Sequence, residues 1–496
     1  MKRRDFLWKT LLAGGGARFG TVALGGVTNA CAFGKTSSAT QSGQATSAMQ
    51  TSSQSTGWER VPSILARIKS PAIPKGDFDI TKFGAKVSAD GDNTTDSSAA
   101  ITAAIAACNA AGGGRIVVPA GRFVTGPVHL GSKMELHVAR GATLAFVTDP
   151  LRYLPAVLTR FEGVECYNYS PLVYALDASD IAITGEGTLD GQAGETNWWP
   201  WKGSTPYGWK AGMPVQMPAR DRLFAMAESN TPVADRVMGT GAFLRPSFVQ
   251  TYRCRNVLVE GVTILRSPMW EIHPVLSRNV TVRNVTIRTH GPNNDGCNPE
   301  SCTDVLIEGC TFDTGDDCIA IKSGRNGDGR RVNMPTENVI VRDCDMKDGH
   351  GGVTIGSEIS GNVRYVYVDN CRMDSPQLDR AIRLKTNAMR GGVLEHIYVR
   401  NVTIGEVAES VLSIDFTYEE GNKGSHMPTV RDIELKNVTS RKSKYGLYLR
   451  GFPNAPITNI RLDSCRFEGV AQADVLEHVT ALTRTNVSVN GKVIPS

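Results

Sequence analysis

The chain predicts an all-β fold, a single-domain parallel β-helix, and three observations carry that prediction. A nine-residue pattern appears at Asn256–Ile264, Asn279–Ile287 and Asp304–Phe312, then at Asn338–Met346, Tyr365–Met373, His396–Ile404, Asp432–Ser440 and Asn459–Phe467. Each copy holds two short alternating strands, such as Val280-x-Val282 and Val285-x-Ile287, split by a polar or Gly corner. The steps between copies are unequal, 23 to 36 residues, as expected of solenoid coils with insertions between them. Neither leucine spacing nor a 3.6-residue period is present, which excludes leucine-rich and helical repeats. Fifty-one glycines and a charged fraction of 21% fit a turn-rich stack of apolar positions.

The elements follow in chain order. Residues 1–32 read as an export signal: Arg3-Arg4-x-Phe6-Leu7 with Lys9 has the form of a twin-arginine address, followed by a Gly/Ala-rich apolar stretch and the small-residue site Ala30-Cys31-Ala32. An ordinary secretory signal is the competing reading, and both place the mature protein outside the cytoplasm, in the periplasm or beyond. Lipid attachment at Cys31 is a further alternative, weakened by Thr28 where such sites usually carry Leu. Residues 33–57, dominated by Ser, Thr, Gln, Ala and Gly, bury too little apolar surface to order and form a linker. The folded region, 58–496, contains no apolar run long enough to span a bilayer. Near its start, Asp96 is placed to cap a helix whose Ala100, Ile101, Ala104, Ile105 and Cys108 share one face, a lid for the open N-terminal end of the solenoid.

Composition narrows the partners. A net charge of +5 does not suit a nucleic-acid protein of this size and agrees with a polyanionic substrate only weakly. Eleven cysteines make an odd count, and Cys310, Cys344, Cys371 and Cys465 fill the slot held elsewhere by Val262, Val285, Val402 and Val438, so core thiols are expected. The segment between Asp190 and Phe243 interrupts the repeats and carries Trp198, Trp199, Trp201 and Trp209, four of seven tryptophans. These are expected to stack on sugars or to wall off one end of a groove, or else to pack the insertion onto the solenoid.

The chemistry concentrates at one angle around the helix. Asp316 lies twelve positions after the repeat start Asp304, and His350 twelve after Asn338. With coils about 4.8 Å apart, a ladder runs from Asp295 through Asp316 and Asp317 to His350, Arg383 and Lys385. Alternation in Arg380–Lys385 turns Ile382 and Leu384 inward and Arg383 and Lys385 outward. Extending Ile319 and Ile321 backward puts Asp316 outside and Asp317 on the core side, unless the chain bends at Gly315. The glycines beside His350 are expected to admit substrate close to the backbone. Three carboxyls at one site point to glycosidic bond hydrolysis, which needs an acid and a base. Two adjacent cations suit an acidic sugar and steady the carboxylate charges.

Asn293-Asn294-Asp295, Gly315-Asp316-Asp317, Gly349-His350-Gly351 and Arg383-Leu384-Lys385, in that order and at one-coil spacings, resemble the four motifs of glycoside hydrolase family 28, the polygalacturonases. The resemblance extends from about Phe78 to the C-terminus, including Phe83-Gly84-Ala85 and Phe161-Glu162-Gly163. It implies a right-handed helix and inverting hydrolysis of α-1,4 bonds between galacturonic acid units of pectin; separately, no cofactor or metal and a monomer are expected. It further implies Asp316 as general acid, Asp295 and Asp317 as activators of water, His350 as an aid to protonation, and Arg383 and Lys385 as ligands of a substrate carboxylate. Asn293 and Asn298 are the remaining expected substrate contacts. The first motif departs from the usual Asn-Thr-Asp-Gly-x-Asp at Asn294 and at Asn298, the latter removing a charge. The export signal and the insertion align the chain with exo-acting, oligosaccharide-trimming members. A Ca²⁺-dependent pectate lyase and a non-catalytic carbohydrate-binding β-helix are the rival readings.

Overall fold

The computed structural model describes residues 57–495. The expected export signal, Cys31 and all but the last residue of the expected linker lie outside them.

The repeat folds as coils because of the backbone demands at two of its positions. The opening residue of every copy, Asn256, Asn279, Asp304, Asn338, Tyr365, His396, Asp432 and Asn459, has φ between 55 and 58°. The corner residue, from Gly261 and Asn284 to Asn437 and Ser464, is left-handed as well. Asn, Asp and Gly tolerate that region best, which is why they dominate both positions. Their side chains also link neighbouring coils: Asn279 Nδ2 donates to Asn256 Oδ1 at 2.7 Å, and Asn338 Nδ2 to Asp304 Oδ1 at 3.1 Å.

Stacked, the coils make a right-handed parallel β-helix with three faces. Two faces are 13-stranded sheets, one running from Asp77–Asp79 to Val479–Thr485 and the other from Gly121–Thr125 to Lys492–Val493. The third face is divided into a four-stranded part ending at Ile272–Val275 and a six-stranded part beginning at Ile319–Ile321. Only isolated bridges, from Ile272 through Cys297 to Ile319 and from Val275 through Glu300 to Lys322, join the two parts. The coil that fails to form a regular strand there is the one bearing Asp295.

One continuous core runs from Ile80 to Val487, and the inward residues of each strand are almost wholly buried. The helix Ser98–Ala110 covers the N-terminal end with Ala100, Ile101, Ala104 and Cys108 buried and Ile105 packed beside them. Its N-cap residue is Ser97, while Asp96 accepts from the Ser98 amide at 2.8 Å. Farther on, the helical stretch Trp58–Arg67 straps the outer face of the first sheet, packing Ile64 on Leu306, Ile340, Tyr367 and Tyr398. All ten described cysteines are buried and unpaired, including the four in the valine-equivalent slots, which join the core as expected. Among the described residues no helix is long and apolar enough to cross a membrane.

Candidate active site

Where the third face is interrupted, the ladder of polar residues closes around a cavity of about 320 Å³. The backbone register brings the four motifs together. The Gly296 amide donates to the Asp317 carbonyl at 3.0 Å, and the His350 amide to the Asp316 carbonyl at 3.0 Å. Thr354 pairs with Arg383 in the adjoining strands. Asn294 shapes the first motif: its Oδ1 accepts from Thr289 Oγ1 and the Gly291 amide, and its Nδ2 donates to the carbonyls of Ser267 and Met269. A threonine side chain has no such fourfold reach.

The chain does bend between Gly315 and Ile319. Cys318 and Ile319 are consecutive residues that both enter the core, so the alternation resets and Asp317 leaves on the outer side. It is nonetheless fully buried, because outward side chains cover it. Its Oδ1 accepts from Thr354 Oγ1 at 2.8 Å and Arg383 Nη1 at 3.3 Å, and its Oδ2 from Lys385 Nζ at 2.7 Å. A Cβ at Gly351 would overlap Thr354 Oγ1, so this glycine makes room for the Asp317 cluster rather than for substrate. Asp316 keeps 17% of its side chain exposed and meets His350 Nδ1 at 3.2 Å. Asp295 is 2% exposed, with Lys322 Nζ 3.6 Å away, and Lys322 is held in turn by Glu358 at 3.0 Å.

Oxygens of Asp295, Asp316 and Asp317 all lie within 4.8 Å of one another. That is tighter than the separation of about 6.5 to 9.5 Å usual when a water sits between two opposed carboxyls. Crowding raises one carboxyl, as expected, but the raised one is Asp295: burial and the charge of Asp316 push it well above the usual range. Burial acts on Asp316 and Asp317 too, yet is outweighed by His350 at Asp316 and by Lys385 and Arg383 at Asp317, and both are held below the usual range. The charge of Asp316 lifts His350 to about 9. The trio has the donor set of a cation site, but Lys385 and Lys322 already compensate two of its charges, which disfavours a divalent ion.

Arg383, Lys385 and Asn293 line the cavity as expected. Asn298 does not. It is fully buried, its Nδ2 donating to the Asp295 carbonyl at 3.3 Å, so it supports the motif from beneath and is not a substrate contact. Other lining residues escaped the repeat analysis: Glu162, Lys202, Tyr207, Arg220, Lys322, Glu358 and Tyr418. Lys322 and Glu358 lie on the same coils as known motifs and were accessible to the phase argument. Lys202, Tyr207 and Arg220 come from the insertion, which has no phase. Its tryptophans are anchors: Trp198 is buried against Trp201 at 4.9 Å and Tyr153 at 5.5 Å, and Trp199 Nε1 donates to the Ser267 carbonyl at 2.9 Å.

Known proteins place the chain in a family. Residues 240–488 match the model of glycosyl hydrolases family 28. A hyperthermoactive exopolygalacturonase of Thermotoga maritima superposes with a TM-score of 0.85 at 48% identity, over 88% of this chain and 97% of that one. An exo-poly-alpha-D-galacturonosidase of Dickeya chrysanthemi is 28% identical over 75% of this chain, which spans 63% of that protein's length. An endo-polygalacturonase of Pectobacterium carotovorum is also 28% identical, over 70% of this chain and 79% of its own. With half its length matching the family model and a near relative aligned almost end to end, the chain belongs to glycosyl hydrolases family 28 and is a glycoside hydrolase.

Proposed function

We propose that this enzyme hydrolyses the α-1,4 bonds of polygalacturonate from the chain end, with inversion. The observation that carries the reading is the union of the three-carboxylate cluster and the Arg383–Lys385 pair in one cavity walled by the insertion, through Lys202, Tyr207 and Arg220. An open groove admits a polymer at any point; a walled one favours a terminus. Asp316, the most exposed of the three carboxyls, is placed to protonate the glycosidic oxygen as the C1–O4 bond breaks. A water held by Asp295 and Asp317 attacks C1 and gives up its proton to them. His350 resupplies Asp316. An acidic sugar drawing on Arg383 and Lys385 weakens their hold on Asp316, so the cluster's proton passes from Asp295 to Asp316 as substrate binds.

The raised carboxyl at Asp295 favours a second assignment, with Asp295 as acid and Asp316 as base. Aryl galacturonides decide between them, because a good leaving group needs no proton. Asp316→Asn is expected to lose about 10²- to 10⁴-fold on polygalacturonate and much less on the aryl glycoside; that pattern in Asp295→Asn instead would reverse the roles. Product lengths from polygalacturonate test the mode, early mono- or digalacturonate supporting end attack and a ladder of intermediate lengths sinking it. The anomer first seen by proton NMR tests inversion. For the whole chain we read residues 1–32 as an export signal, 33–57 as linker and 58–496 as the catalytic domain, so replacing Arg3 and Arg4 by Lys should strand the enzyme in the cytoplasm.

A further inference from the structure

We infer that Lys202, supplied by the insertion, receives the carboxylate of the terminal sugar and makes the enzyme require a free acid there; this rests on the end-attack reading. Lys202 lines the cavity, yet among the described residues its ammonium has no hydrogen bond and no carboxylate within ion-pair distance. The nearby carboxylate Glu162 is taken by Arg220, whose Nε lies 2.7 Å away. Behind the wall stands a second cation without an anion. Arg245 is completely buried and spends its donors on Gln216 Oε1, the carbonyls of Pro268 and Pro292, and Asn293 Oδ1, all neutral acceptors. Burial lowers Lys202 and takes Arg245 down to about 10, the more distant charge of Glu162 offsetting it only in part.

An ammonium facing a cavity without a counter-ion is costly unless something anionic arrives. Arg383 and Lys385 are tied to Asp317 by ion pairs, whereas Lys202 has no such tie. Lys202 also stands on firm ground: it ends the short helical turn Trp199–Lys202, in which Pro200 is buried and which follows the buried Trp198. Little further ordering is then needed on binding, which favours a specificity contact. A methyl ester removes the charge and adds bulk, leaving the ammonium unpaired.

The test uses trigalacturonate and its two derivatives bearing a methyl ester on one terminal sugar. The wild-type enzyme should reject one derivative and accept the other. Lys202→Met should raise KM for trigalacturonate about 10- to 100-fold, the loss expected for a hydrogen bond to a charged group, with kcat changed less, and should no longer distinguish the two derivatives. Lys202→Arg should restore the distinction. Wild-type discrimination retained in Lys202→Met, or absent from the wild type, overturns the inference, and Lys202→Gln replaces the Met variant should that not fold. Internal cleavage of polygalacturonate by the wild type would instead refute end attack, separately from any result with the esters.

Discussion

Asp317 shows how a residue can be buried and still belong to the chemistry. A carboxylate without exposure survives ionised only through close cations, and Lys385 Nζ at 2.7 Å is the nearest of them. Lys385→Met would leave that charge to Arg383 and Thr354, so a loss of roughly 3 kcal/mol is expected, the low end for breaking a buried pair, read from urea unfolding at neutral pH. An unchanged midpoint would mean that Asp317 is already neutral. The sign with pH follows: Asp317 is depressed, so its contribution is present above the ordinary carboxyl value of 3.8 and is lost as the pH falls below it. His350 runs the other way. Raised from 6.5 to about 9, it stabilises fully below 6.5 and loses that contribution as the pH rises through 9, and a side chain 48% exposed makes this small. Its larger effect is on proton supply: kcat/KM should fall on a basic limb near 9, and that limb should vanish in His350→Gln. A limb that persists in the variant would assign it to another group.

At the scale of elements, repeats were legible and the insertion was not. Asp316 and His350 could be aligned from sequence because each stands twelve residues beyond a left-handed Asn or Asp that the coil geometry demands. The outward turn of Asp317 could not, since the reset at Cys318-Ile319 breaks the period on which inward and outward are judged. Asn298 was expected at the substrate from the family motif alone, and on a coil that forms no regular strand on this face it turns beneath Asp295 instead. Lys202 and Arg220 had no period to count from. What the sequence did show of the insertion was its tryptophans, and these turn out to fasten it. Trp198→Ala should therefore cost about 3 to 5 kcal/mol, seen in thermal melting, and raise KM by loosening Lys202. A variant that melts earlier with unaltered KM would separate the anchor from the cavity wall.

The described domain is a stack in which each coil contacts its neighbours, so stability should be graded along the axis and not uniform. The two ends are unequal. At the N-terminal end the helix Ser98–Ala110 seals the first coils, and the strand Gly114–Val118 keeps Ile116 and Val118 fully buried. Among the described residues the C-terminal end has no helix. It finishes on the short antiparallel pair Ser488–Val489 and Lys492–Val493, and the strand Val479–Thr485 contains no buried residue. The cavity sits at mid-stack on coils whose strands, such as Ile319–Ile321, are wholly buried. Amide hydrogen exchange should therefore be fastest in 479–485, slow in 114–118 and slowest around 305–321, with fraying that proceeds from the C-terminal end toward the cavity. Equal exchange at 114–118 and 479–485 would mean that the helix does not act as a cap. Protection falling first around the cavity would mean that the charged cluster, and not the open end, sets the weakest coil.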